Sequence, residues 1–391
     1  LKISRIEHLH ADAGWRRACF LKITTADGTV GWSEYNIHTG TAGLVGVIDT
    51  LGALVVGMNA LEIERIAAFL RGRTLQASGG MNQHAIAAIC NALFDIKGKA
   101  LGVPVHSLLG GAFRDRLNLY WSHCGTYRVR HADALGVPPL RTFDDIAKLG
   151  AEVKQRGYRA LKTGMMDHDG SKFVNFAPAF AHTPGYPELN IDTRLLNVLK
   201  RQLAAFREGA GDDVDLLLDT NFHFKTEGFL QIARAVEPYN LLWLELDTYD
   251  PLALKTVRNA ARCPIASLEA LFGRRQLKPY LDIGAADVAI IDVTWNGYLE
   301  ALKMAEFAEA YEVNVAPHSF GAGMLGDVMS AHFAAAVPNF RIMEIDVDDV
   351  PWKPEFLTHP LVTENGELLV PQRPGWGTDV NEAAVRAHPP R

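Results

Sequence analysis

The sequence predicts an α/β protein, a closed (β/α) barrel of the TIM type preceded by a smaller α+β domain. The first observation is an alternation of strand-like and helical runs from Leu117 onward. Strands are expected near 117–122, 158–163, 214–219, 241–246, 264–268, 288–293, 313–317 and 341–345, with helices at 143–156, 193–208, 227–236, 251–261 and 298–311 between them. Eight such units in about 230 residues suit a closed barrel better than an open doubly wound sheet. The second is that three successive strands end on an acid. Val214-Asp215-Leu216-Leu217-Leu218 runs into Asp219, Leu241-Leu242-Trp243-Leu244 into Glu245, and Ile265-Ala266-Ser267-Leu268 into Glu269, at spacings of 26 and 24 residues. That is the length of one strand and its returning helix. The third is that no G-x-G-x-x-G follows an early strand, which removes the dinucleotide-binding alternative.

The elements follow in order. Ile3 to His10, Trp15 to Thr24 and Val30 to Glu34 alternate apolar and polar, with Ala26-Asp27-Gly28 as a turn, and predict an antiparallel meander. From Thr41 to Leu109 the period becomes helical, through Leu44, Val47, Ile48 and Leu51 and later Ile86, Ile89, Leu93 and Ile96, until Gly102 and Pro104 end the last helix. Gly110-Gly111 marks a boundary. Between the second and third barrel strands, the stretch from Met165 to Asn190 carries Gly170, Pro178, Pro184, Gly185 and Pro187 and is expected to be an inserted loop over the barrel mouth. After Glu344 the chain turns at Asn365-Gly366 and Pro374-Gly375-Trp376-Gly377 and is expected to pack back on the first domain. The domain organisation is therefore 1–116, 117–355 and a tail, 356–391.

Composition narrows the function. The chain has 391 residues, 48% hydrophobic and 21% charged, with a net charge of −6 and no Lys/Arg block, which argues against nucleic acid or an anionic membrane as partner. Cys19, Cys90, Cys124 and Cys263 form no C-x-x-C pair, so neither a zinc site nor a disulfide framework is signalled. Lys2, Arg5, Glu7 and Asp12 stand where a signal peptide needs its apolar core. A soluble, cytoplasmic protein with reduced thiols is expected.

Three carboxylates converging on one barrel mouth would repel each other unless a cation sits among them. All-oxygen donors on rigid strands suit a hard ion of the Mg²⁺ class, so Asp219, Glu245 and Glu269 are the expected metal ligands. Asp292 and His318 end the next two strands, 26 residues apart. A carboxylate bonded to one imidazole nitrogen fixes the tautomer and leaves the other nitrogen as a base. Glu344, one strand later, is placed to hydrogen-bond an enolic oxygen or orient His318, or else is a strand-end carboxylate facing water. Lys162, ending the second strand, either stabilises substrate carboxylate charge or, if desolvated, acts as a base. Asn221 and His223 follow Asp219 closely and are expected to touch substrate. In the first domain, Trp15, Arg16 and His38 are candidate specificity contacts, with packing inside that domain the alternative for Trp15 and His38.

Together these residues resemble the enolase superfamily, and within it the mandelate racemase subgroup. The resemblance runs along nearly the whole chain through Asn91-Ala92-Leu93-Phe94-Asp95-Ile96-Lys97-Gly98-Lys99, Gly102-Val103-Pro104-Val105, Leu108-Leu109-Gly110-Gly111, the three acids, Asp292 with Asn296-Gly297, Pro317-His318 and Pro374-Gly375-Trp376-Gly377. It implies a modified (β/α)7β TIM-type barrel with an α+β capping domain formed by the N-terminal region and the C-terminal tail. It also implies one Mg²⁺ on Asp219, Glu245 and Glu269, an acid/base dyad of Asp292 and His318, Glu344 as the oxyanion-side carboxylate, and a homo-oligomer. Two positions depart from the pattern. Where such proteins carry Lys-x-Lys, this chain reads Lys162-Thr163-Gly164; where they often read Glu-Glu-Pro, it reads Glu245-Leu246-Asp247, a change given little weight.

Racemisation needs a base on each face of the substrate, and this chain offers one visibly. The expected function is therefore Mg²⁺-dependent dehydration of a sugar acid of the aldonate or aldarate type, by removal of the proton α to the carboxylate and loss of the β-hydroxyl to give a 2-keto-3-deoxy acid. Asp167, His168 or Lys162 itself are the candidates to replace the missing lysine, which keeps an epimerase, racemase or cycloisomerase as the alternative. A non-catalytic ligand-binding regulator is the alternative of another class.

Overall fold

The computed structural model describes residues 1–37, 41–180, 190–319 and 323–390. The N-terminal meander forms as the alternation predicts: Ile3–Asp12, Arg17–Thr25 and Val30–Tyr35 pair antiparallel in that order. Three helices, Leu44–Ala53, Ile63–Arg73 and Gly80–Leu101, pack with it. The last is buried along most of its length, and Gly102 closes it in the left-handed conformation at φ 69°, which glycine adopts without steric cost.

Eight parallel strands then close into a barrel: Arg116–Trp121, Ala160–Gly164, Asp215–Asp219, Trp243–Glu245, Ile265–Ser267, Val288–Asp292, Asn314–His318 and Met343–Ile345. The eighth returns to the first in parallel register, Glu344 opposite Tyr120. All eight lie where the sequence places them, as do the helices Phe143–Gln155, Thr193–Ala210, Thr226–Val236, Pro251–Ala260 and Tyr298–Glu309. Their starts are chemical. Thr142 and Asp145 form a reciprocal capping box, Asp192 caps Leu195, and Asp250 caps a helix that opens on Pro251. Helices Gly273–Leu281 and Met324–Ala336 were not expected. Pro279 inside the first reads as a helix breaker, and the small apolar residues of the second leave it with little amphipathic contrast.

The barrel interior is a separate apolar layer of Tyr120, Ala160, Leu217, Trp243, Ala266, Val288, Ile290, Ala316 and Ile342. Two residues further along six of the strands, alternation brings Lys162, Asp219, Glu245, Asp292, His318 and Glu344 above that layer at the mouth.

The expected mouth loop is partly structured. It opens as a hairpin of Met166–His168 and Phe173–Asn175, followed by a 3₁₀ turn at Pro178–Phe180. The tail docks on the first domain: Trp376 Nε1 donates to Trp32 O and Lys99 Nζ bonds Asp379 Oδ1, at 2.9 and 2.6 Å. It also adds strand Glu367–Leu369 antiparallel to the start of the first barrel strand, a pairing the turn-rich sequence does not announce. Gly98 is needed for this docking, because a Cβ there would lie 2.7 Å from Gly375 Cα.

Candidate active site

At the mouth lies a cavity of about 900 Å³ lined by the ends of the barrel strands, by Asn36, Thr41 and His84 of the first domain, and by Phe176 to Pro178 and Phe180 of the loop. Its chemistry starts at the sixth strand. Asp292 Oδ1 caps the short helix Val293–Asn296 by accepting from Trp295 N–H, at 2.8 Å, and from Thr294 Oγ1. Its other oxygen, Oδ2, is thereby free to accept from His318 Nδ1 at 2.7 Å. The dyad read from spacing is present and buried. That bond puts a proton on Nδ1 and aims Nε2 at Glu269 Oε2, 3.4 Å away. Burial disfavours the imidazolium, but Glu269 and Asp292 outweigh it and raise the ring's pKa to about 10.

Lys162 rises from the second strand beneath the acids. Its Nζ lies 3.0 Å from Glu344 Oε1, 3.1 Å from Glu245 Oε1 and 3.6 Å from Asp219 Oδ2. Burial opposes its charge, yet Glu245 and Glu344 hold its pKa well above the ordinary value. Lys162 thus stands as an ammonium among the acids, an arrangement that suits charge stabilisation better than a desolvated base. Glu344 does not face water. It accepts from Ser122 Oγ at 2.5 Å and Ser319 N–H at 2.7 Å, and Lys162 and His318 together hold its pKa down against burial.

Asp219 and Glu245 stand opposite each other on paired strands. Asn221, at φ 45°, turns back so that both its N–H and its Nδ2 bond Asp219 Oδ1. Glu269 reaches the mouth by a different device. Ala266 points inward, so strict alternation would send Leu268 inward; instead Leu268 sits at φ 91° and Glu269 takes its place at the cavity. Asp247 holds this strained turn, its Oδ1 accepting from Leu268 N–H and Ser267 Oγ, each at 3.1 Å. The departure from Glu-Glu-Pro at this position therefore has a structural task.

Among the described residues no group of three or more His, Cys, Asp or Glu side chains stands close enough to hold a metal ion. Glu245 is turned to Lys162 and Glu269 to His318. The donor set nonetheless fits a hard divalent cation. Asp219, Glu245 and Glu269 offer only carboxylate oxygens from adjacent strand ends. Burial and mutual repulsion drive the acidity of Glu245 and Glu269 down, raising both pKa values despite Lys162 and His318. Positive charge among them is the electrostatic complement.

The remaining expected contacts divide. Asn221 and His223 line the cavity. Trp15 and Arg16 are not among its lining residues, because both are engaged one layer behind. Trp15 stacks on His131, with ring centroids 4.5 Å apart, and packs edge-on against Tyr127, which in turn stacks on the cavity residue His123. Arg16 is buried against Asp349 at 2.5 Å. His38 lies outside the described residues. Asp167 is paired with Arg194 and His168 bonds Arg141 O, and neither is among the cavity's lining residues. At Gly164 a Cβ would meet Thr126 Cγ2 at 3.3 Å. Sequence reasoning missed Ser122, His84, Arg130 and Trp295. Only Trp295 had a signal, as the aromatic residue between Asp292 and Asn296-Gly297.

Fold and mouth define a barrel enzyme with its polar groups gathered at the C-terminal ends of the strands. The chain belongs to the mandelate racemase/muconate lactonizing enzyme family of the enolase superfamily: residues 12–110 match the N-terminal domain of that family and residues 145–384 the enolase C-terminal domain-like profile. Among curated relatives, a D-galactonate dehydratase of Ralstonia nicotianae is 29% identical over 98% of this chain and 94% of its own length. A D-gluconate dehydratase of Thermoproteus tenax is 29% identical over 96% of this chain and 71% of its own. Among solved structures, a Burkholderia xenovorans protein to which L-alanine-DL-glutamate epimerase activity is ascribed superposes with a TM-score of 0.97 at 46% identity, covering 100% of this chain and 97% of that one in its form bound to magnesium and fumarate.

Proposed function

We propose that this chain dehydrates a sugar acid, taking the proton α to the carboxylate and expelling the β-hydroxyl to give a 2-keto-3-deoxy acid. The observation that carries the reading is the single buried base. His318 is fixed by Asp292, while Gly164, which stands where a second lysine would, lines the cavity with no side chain to offer. The dehydratases among the relatives and the magnesium and carboxylate ligand of the Burkholderia structure support it.

An α-proton next to a carboxylate is too weakly acidic for an imidazole unless the developing dianion is stabilised. Lys162, held charged by Glu245 and Glu344, supplies fixed positive charge beneath the substrate carboxylate. Asp219, Glu245 and Glu269 would hold Mg²⁺, which supplies further positive charge for the enediolate and relieves His318 of the Glu269 charge. His318 Nε2 removes the C2 proton and returns it to the departing C3 hydroxyl, so that water leaves and the enol product ketonises. One residue on one face thus suffices, and the proton count closes.

A second reading is an epimerase, favoured by the activity ascribed to the Burkholderia neighbour and by the Lys162 ammonium as a proton donor on the other face. Screening an acid-sugar library with Mg²⁺ in deuterated buffer decides. Keto acid trapped by semicarbazide supports dehydration. Substrate epimerised with deuterium at C2 and no keto acid overturns it in favour of the isomerase.

A further inference from the structure

Among the described residues the cavity walls carry two Lys or Arg side chains, Lys162 and Arg130. Lys162 is surrounded by three carboxylates. Arg130 is not. Its Nε donates to Asn175 Oδ1 at 2.6 Å, and among the described residues its guanidinium meets no carboxylate within 4.0 Å. It ends the short helix Thr126–Arg130 that follows the first barrel strand, and its charge acts on both Asp219 and His223 across the same wall. His223 lines that wall too. Its Nδ1 accepts from Ala179 N–H at 3.4 Å, which leaves the ring proton on Nε2, and burial lowers its pKa to about 4, so the ring is a neutral donor. Among the described residues, the wall opposite the dyad therefore offers a guanidinium and an N–H that no carboxylate meets within 4.0 Å.

A monocarboxylate held at the acids and Lys162 makes no use of that cation. We propose that Arg130, with His223 beside it, binds a second carboxylate at the far end of the substrate, so that the preferred substrate is a dicarboxylic sugar acid and not the corresponding monoacid. This rests on the dehydratase reading for the reaction but not for the binding. A guanidinium presents parallel N–H groups that match a carboxylate in a way a lysine does not. A cavity of about 900 Å³ holds a six-carbon chain with both ends engaged.

The test compares a sugar diacid with the monoacid of the same stereochemistry, in which a terminal CH₂OH replaces the distal carboxylate. Wild type is expected to show at least a 10-fold higher kcat/KM for the diacid. Arg130→Gln should raise KM for the diacid by about 10- to 100-fold with kcat within about threefold, and so abolish the preference for diacid over monoacid; Arg130→Lys should recover part of the loss. Asn175→Ala separates binding from mere fastening of the loop. It keeps the diacid preference if Arg130 binds substrate, and reproduces the Arg130→Gln loss if Arg130 only anchors the hairpin, which would overturn the proposal. Equal turnover of diacid and monoacid, untouched by Arg130→Gln, also overturns it while leaving dehydration standing. Calorimetric titration with succinate against butanoate, in Mg²⁺, needs no turnover: Arg130-dependent binding of succinate alone supports the proposal even if dehydration fails, and equal binding of both rejects it.

Discussion

At the scale of single residues, the site turns on how Asp292 spends its two oxygens. One caps the turn Val293–Asn296 and the other holds His318. Asp292→Asn keeps the shape but can present an amide N–H to His318 Nδ1, which moves the ring proton to Nε2 and removes the base. We expect kcat to fall about 10²- to 10⁴-fold with KM within a few-fold, measured by keto-acid release; an unchanged kcat would deny the dyad its role. The dyad and the acids were legible because each ends an apolar run at a fixed interval, a pattern local to its own strand. Arg130, His84 and Ser122 were not, since nothing in their neighbouring residues says which cavity they line. Trp15 and Arg16 were assigned one layer too far forward for the same reason: proximity to the mouth along the chain does not say which side chains stack behind it.

At the scale of elements, the helix Gly80–Leu101 of the capping domain carries part of the active site's rigidity. Asn91 bonds both sides of the barrel turn that follows Asp292, its Nδ2 donating to Val293 O at 3.1 Å and its Oδ1 accepting from Tyr298 N–H at 2.8 Å, and Gln83 Nε2 donates to Asn296 O. Gly297 between them sits at φ 83°, with a Cβ position only 3.2 Å from Ala87 Cα, so helix and turn meet backbone to backbone. The resemblance motif that includes Asn91 and Asn296-Gly297 thus has a physical cause, a polar lock between two elements about 200 residues apart in sequence. Asn91→Leu preserves the volume but strands a buried carbonyl and a buried N–H. It should cost about 2–4 kcal/mol in urea unfolding and reduce kcat by loosening Asp292, whereas loss of neither would show that the lock is incidental.

At the scale of the whole molecule, His332 joins three parts of the chain. It lies in the barrel helix Met324–Ala336, accepts on Nδ1 from His106 N–H at 3.2 Å, and donates from Nε2 to Trp376 O of the tail at 3.1 Å. The bond accepted on Nδ1 requires the neutral ring, and burial, with the nearby His106, lowers its pKa to about 3. The linkage has a definite sign. Between pH 6.5 and about 3 the unfolded chain takes up a proton at this residue that the folded chain does not, so the stabilisation is full above pH 6.5 and is lost as pH falls. His332→Gln removes the titration while keeping part of the hydrogen bonding. At pH 8 the variant should be less stable by about 1–3 kcal/mol, and the gap should shrink by up to about 1.4 kcal/mol for each pH unit below 6.5, followed by urea unfolding at pH 8, 6 and 5. A gap that stays constant across that range would mean that His332 titrates alike in both states and that tail, cap and barrel are held together without it. Nothing in the sequence around His332 signals this role, because its two partners come from Trp376 and His106, far away along the chain, and meet it only once the barrel has closed and the tail has returned.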